Sequence, residues 1–131
     1  MREVKFNDLT LQIYKIKDLI NENIETVLES NAFIKGNFVK QFEDNFKKYS
    51  NVKHAIGVSN GTDALLIAME SLKSTGDVLV QPTTYVASAS MIPRIGNEVK
   101  FIDVNRDTWQ ISTENISDKI TKNTVGLIGV H

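Results

Sequence analysis

The sequence has no cysteine among its 131 residues, which excludes disulfide frameworks, thiolate metal sites and cysteine nucleophiles. Its two histidines, His54 and His131, are too few to build a histidine metal cluster. An excess of either charge is also missing. Fifteen Lys plus Arg face sixteen Asp plus Glu, a formal net charge of -1, so nothing draws the backbone of a nucleic acid. Apolar runs are short: Val125–Val130 is far below the roughly 20 residues of a membrane-crossing helix. The opening MREVKFNDLT is polar and lacks the apolar core of a secretory signal. The expectation is a soluble cytoplasmic chain with no metal, nucleic-acid or membrane partner. With 41% hydrophobic and 24% charged residues it has the balance of an ordinary globular protein about one domain long.

Periodicity divides the chain near residue 51. Leu9, Ile13, Ile16, Ile20, Ile24 and Val27 step by three and four, which predicts an amphipathic helix from about residue 10 to Glu29, ended by Ser30-Asn31. A second helix follows Gly36, with Phe38, Phe42, Phe46 and Tyr49 on one face. From residue 52 short apolar runs alternate with helical patterns. Strands are predicted at His54–Val58, Val78–Val80, Val99–Val104 and Thr124–Val130. Helices are predicted at Thr62–Leu72, at Tyr85–Ile95 with Pro93 kinking or closing it early, and at Thr113–Ile120. Unbroken apolar strands alternating with helices define an α/β protein with a mostly parallel sheet flanked by helices. The expected organisation is an N-terminal helical segment, 1–51, and an α/β domain, 52–131. The last strand runs straight into His131, which raises the expectation that this is the front part of a longer protein.

The sharpest chemical signal is Ser59-Asn60-Gly61-Thr62-Asp63-Ala64-Leu65, between the first predicted strand and its helix. Gly61 lets a ligand approach the backbone, Thr62 sits where a helix cap belongs, and first-turn N–H groups with the helix dipole suit a phosphate. The same residues also make an ordinary capped turn, and both readings stand on the residues alone. Neither Gly-Lys-Ser/Thr nor G-x-G-x-x-G is present, so two familiar phosphate loops are excluded. Gln81-Pro-Thr-Thr-Tyr85 follows the next strand and opens at the same carboxyl edge. There Tyr85 either packs on the sheet or lies against a flat ligand. Asp103 reads as a turn or cap residue, Trp109 as packing, and His54, Arg94 and Arg106 as surface residues.

Gly36-Asn-Phe-Val-Lys-Gln-Phe-Glu-Asp-Asn-Phe46, then Val52-Lys-His-Ala-Ile-Gly-Val-Ser-Asn-Gly-Thr-Asp-Ala-Leu65, then Gly76-Asp77, Thr83–Ala87, Val99–Asp103 and Gly129-Val-His131 form ordered blocks. Together they resemble the start of the DegT/DnrJ/StrS-type sugar aminotransferases. The resemblance implies the large domain of fold type I enzymes dependent on pyridoxal 5'-phosphate (PLP), here ending after about its fourth strand. It implies a homodimer that moves an amino group from glutamate to a nucleotide-linked keto sugar, in deoxyamino-sugar or surface polysaccharide biosynthesis. By position, Gly61 and Thr62 hold the cofactor phosphate, Tyr85 stacks on the pyridine, and Asn60 and His131 lie nearby. The family's pyridine-pairing Asp and Schiff-base Lys come after its Val-His block. All twelve lysines here precede that point, so no catalytic residue is expected within the chain, which alone would be inactive. Two alternatives remain: a lysine-free dehydratase of the same family that uses pyridoxamine phosphate, and a non-catalytic phosphate-binding module. Departures from the family pattern are Gly76-Asp77-Val78, where the family usually has an extra Glu, and Pro93.

Overall fold

The computed structural model describes residues 4–131, in two units, one ending at Gly57 and one running from Val58 to His131. The first unit holds two helices, α1 (Thr10–Ser30) and α2 (Asn37–Tyr49). The isoleucine stripe forms the expected helix, and Asn31 ends it by taking a left-handed φ of 52° while its N–H donates to the Leu28 carbonyl. Neither helix buries a residue fully. In α2 the four-residue spacing stacks Phe42 on Phe46 with ring centroids 5.9 Å apart. The last-turn Lys47 pairs with Asp44 at 2.8 Å on the other face.

The second unit contains α3 (Gly61–Ser71), β1 (Asp77–Val80), α4 (Ala87–Arg94), β2 (Glu98–Phe101), α5 (Thr113–Lys119) and β3 (Thr124–Ile128). All strand pairs are parallel, in the order β2-β1-β3, with Val78 opposite Val99 and Gly126. The central strand is therefore flanked on both sides. Val78, Leu79 and Val80 are buried as an unbroken apolar run should be. Val78 and Val80 meet Ile92 of α4, with Met69 of α3 and Val125 and Ile128 of β3 packed around them. Burial of Val78, Val80 and Ile92 contributes about 1.5–3 kcal/mol for each side chain.

Two glycines permit this packing. Gly96 turns the chain out of α4 at φ 79°, and Gly76 runs so close to β3 that a Cβ would overlap the Asn123 carbonyl. Between them Asn97 is buried, and its side chain accepts the Gly76 N–H at 2.8 Å.

The α/β class and the parallel sheet are as expected, and several details are corrected. Residues 54–58 form no strand. They are largely exposed, with no ladder partner among the described residues, and the Gly57 N–H goes to the Glu43 carboxylate at 2.8 Å. The described sheet thus has three strands, where four were expected. Strand β2 stops at Phe101 because Asp103 turns the chain, its carboxylate accepting the Val104 N–H; Val104 instead bridges Ile111 in antiparallel fashion. Strand β3 likewise stops two residues short of Val130. Helix α4 starts at Ala87, later than Tyr85, and Pro93 falls one residue before its end, where it has no N–H to donate to the Ala89 carbonyl and the helix closes at Arg94. Among the described residues no helix is long and apolar enough to cross a membrane.

Candidate cofactor-phosphate site

Parallel strands deliver their carboxyl ends to one edge of the sheet. That edge carries Gln81 after β1, Ile102 and Asp103 after β2, and Gly129 to His131 after β3. Helix α3 returns to β1 through the short 72–76 connection and packs Met69 on the sheet. It therefore runs against the strands, and its amino end, Asn60 to Thr62, rises towards the same carboxyl edge.

The cap of α3 differs from the expectation. Asn60, two residues before Thr62, is the N-cap: its backbone is extended and its side-chain oxygen accepts the Asp63 N–H at 2.9 Å. Asp63 lies in the first turn, where its negative charge suits the dipole, and its carboxylate is held by the Ser59 hydroxyl and by Asn60 Nδ2 at 3.0 Å. The sequence did carry this signal. Asn60-x-x-Asp63 has the spacing of a capping box, with a polar cap followed three residues later by an acidic side chain. The result is useful for binding. The cap engages the third amide and draws the carboxylate back, so the N–H groups of Gly61 and Thr62 stay available. A Cβ built on Gly61 would meet nothing within 4 Å, so the approach to these amides is open. Thr62 is half-buried.

At the end of β1, Tyr85 is 76% exposed and does not pack on the sheet. Its backbone is held, since the Thr84 N–H donates to Pro82 and the Ser88 N–H to Tyr85, each at 3.0 Å. Thr84 and Ser88 also join through their hydroxyls at 3.0 Å. His131 is exposed beyond β3, on the same edge. Asp103 acts as the turn residue expected, while Arg94, Arg106 and His54 are exposed. Trp109 is corrected: it is 67% exposed and adopts φ 60°, so its indole packs little and its backbone matters more. Sequence reasoning missed Gln81, which is buried although it ends a strand. Among the described residues no group of three His, Asp or Glu side chains is placed to hold a metal ion.

Bare amides at an eleven-residue helix, an alcohol beside them and an unpacked aromatic ring on one sheet edge fit a planar cofactor carrying a phosphate ester. Such an edge, built on a parallel α/β sheet, defines an α/β protein of the broad class that binds ligands at the carboxyl ends of its strands. Residues 14–131 match the DegT/DnrJ/EryC1/StrS aminotransferase family, and the chain belongs to it. It is 39% identical over 119 residues to GDP-perosamine synthase of Escherichia coli O157:H7, covering 89% of this chain and 32% of that protein. The structure of S. venezuelae DesV in complex with a ketimine intermediate superposes with a TM-score of 0.91 at 28% identity, over 100% of this chain and 36% of that one. The Bacillus subtilis protein ntda, with bound cofactor PMP, gives a TM-score of 0.84 at 27% identity, over 99% of this chain and 31% of that one. The chain thus spans about a third of the length of the relatives it matches.

Proposed function

We propose that these residues form the phosphate-binding and ring-stacking lobe of a PLP-dependent aminotransferase that acts on a nucleotide-linked keto sugar with glutamate as amino donor. In this reading residues 1–51 are a helical segment, and 52–131 are the front of the cofactor-binding domain. The parent is a cytoplasmic homodimer serving deoxyamino-sugar or surface polysaccharide synthesis. The observation that carries the reading is the pairing of an open helix amino end at Gly61 with the exposed Tyr85 ring, on one edge of a parallel sheet.

When bound, PLP supplies an electron-withdrawing ring through which an amino group is exchanged. The chain's own residues orient that ring. The Gly61 and Thr62 N–H groups and the Thr62 hydroxyl donate to the phosphate, assisted by the α3 dipole. Asn60 keeps the first turn wound and the Asp63 carboxylate tied back. Tyr85 offers its face to the pyridine, and the His131 side chain stands at the same edge. Backbone N–H groups, an alcohol and an aromatic face bind and orient without moving a proton. A lysine and a pyridine-pairing carboxylate must therefore come from outside these residues, and the 131-residue chain alone is inactive.

The test uses the full-length protein. Loading with PLP, reducing with borohydride and mapping the product by mass spectrometry should find the adduct on a lysine outside residues 1–131. Uptake of PLP or pyridoxamine phosphate with no lysine adduct would instead assign the dehydratase chemistry. No uptake of either would refute the reading.

A further inference from the structure

Gln81 is the least expected residue at the sheet edge. It is 2% exposed, directly after the central strand, where an apolar side chain would be buried at no polar cost. Its amide nitrogen donates to the Thr83 carbonyl at 3.1 Å and reaches the Trp109 carbonyl and the Thr83 hydroxyl oxygen, each at 3.4 Å. The Thr83 hydroxyl donates to the same Trp109 carbonyl at 3.4 Å. Gln81 Oε1 has no partner among the described residues, so every hydrogen bond of the amide here is made through its donor side. The acceptor is held at a cost too. Trp109 adopts φ 60°, a region bulky residues avoid, within a turn in which the Asn105 side chain accepts the N–H groups of Asp107 and Thr108. A half-satisfied buried amide and a left-handed tryptophan thus meet at one contact, 28 residues apart in sequence. Such costs persist only where the surroundings fix them, and they cluster at working sites.

The contact bears on Tyr85. That residue stands four positions after Gln81 and two before α4, with an exposed ring, so its place depends on the 82–85 turn. We propose that Gln81 is a positioning residue that clamps the 82–85 turn to the Trp109 carbonyl and so sets where the Tyr85 ring meets the cofactor. This rests on the reading of Tyr85 as the ring that stacks on PLP.

The test compares wild-type full-length protein with Gln81→Met, which keeps length and burial but has no donor. Amide hydrogen exchange at Thr84, Tyr85, Val86 and Ser88 is measured on the apoprotein, and PLP affinity by absorbance titration. The expectation is tenfold or faster exchange at these amides, with the rest of the unit unchanged, and a PLP Kd raised three- to tenfold. Unchanged exchange in folded Gln81→Met overturns the clamp. Faster exchange with unchanged Kd overturns the positioning role and leaves a local brace. Should Gln81→Met fail to fold, Thr83→Val removes the second donor from an exposed position. Two- to fivefold faster exchange and a raised Kd are then expected, and no change overturns the proposal. If the wild-type protein takes up no PLP, the cofactor reading fails, while exchange on the apoprotein still decides the clamp.

Discussion

Substitution of Gly61 should move stability and cofactor affinity in opposite directions. Its φ is outside the left-handed region, since Gly96 is the glycine with positive φ, and a Cβ would meet nothing within 4 Å. Gly61→Ala therefore fits the fold and, by restricting the unfolded chain, should stabilise it by about 0.4–1 kcal/mol. Gly61→Asp adds a carboxylate in the first turn, worth about 0.3–1 kcal/mol against the helix dipole. Its nearest acidic neighbour, Asp63, is two residues on and does not share its face. A phosphate resting on the Gly61 amide feels the reverse. Like unit charges about 4 Å apart cost about 1 kcal/mol in water and about 4 kcal/mol at the dielectric of a protein surface. That corresponds to roughly fivefold to thousandfold weaker binding. The assay pairs thermal melting of the full-length apoprotein with PLP titration followed by absorbance. The expected pattern is an unchanged or higher Tm with weaker binding, mild for Ala and severe for Asp. Wild-type affinity in folded Gly61→Asp would refute phosphate binding at this turn.

Asn60→Ala removes the cap of α3 and should cost about 1 kcal/mol, read by denaturant unfolding and by faster exchange of the Asp63 amide. Gly76→Ala drives a methyl into the Asn123 carbonyl and Val125, and overpacking against backbone should cost about 3 kcal/mol; a wild-type Tm would show that β3 does not lie this close. The Asp8 carboxyl is held below its ordinary 3.8 by the Thr10 side chain and then by the Thr10 N–H, at the start of α1. A depressed folded pKa gives support that is present above the unfolded value and lost as pH falls through the folded one. The Thr10 amide resonance should therefore titrate with a midpoint below 3.8, and a midpoint at or above it would contradict the contact.

The helices were legible because their causes are local. Ile13, Ile16, Ile20 and Ile24 fix α1, and Phe38, Phe42 and Phe46 fix α2, whatever lies around them. Strands were legible only where a neighbour exists. His54–Val58 has the composition of a strand, but a ladder needs a partner, and composition names none. The overlong ends at Val104 and Val130 have the same origin: apolar residues continue after pairing stops. Trp109 shows a different limit. Aromatic character suggests burial, whereas its part here is played by a carbonyl and a left-handed φ, neither visible in a residue type.

The candidate site was legible for a topological reason. Once strands are parallel, every loop after a strand opens on one edge, so Gly61 and Tyr85 can be assigned to a common surface from residues 24 positions apart without knowing a distance. Gln81 escaped that logic because its long-range partner is the Trp109 carbonyl, in a turn where the Asn105 side chain accepts two backbone N–H groups. The groups proposed from the sequence are those whose placement follows from the topology: free amides at a helix start and a ring after a strand end. The one that was missed works by constraining another loop. Groups that touch a ligand are thus readable from local sequence on a parallel scaffold, whereas groups that hold those in place require the tertiary contact itself.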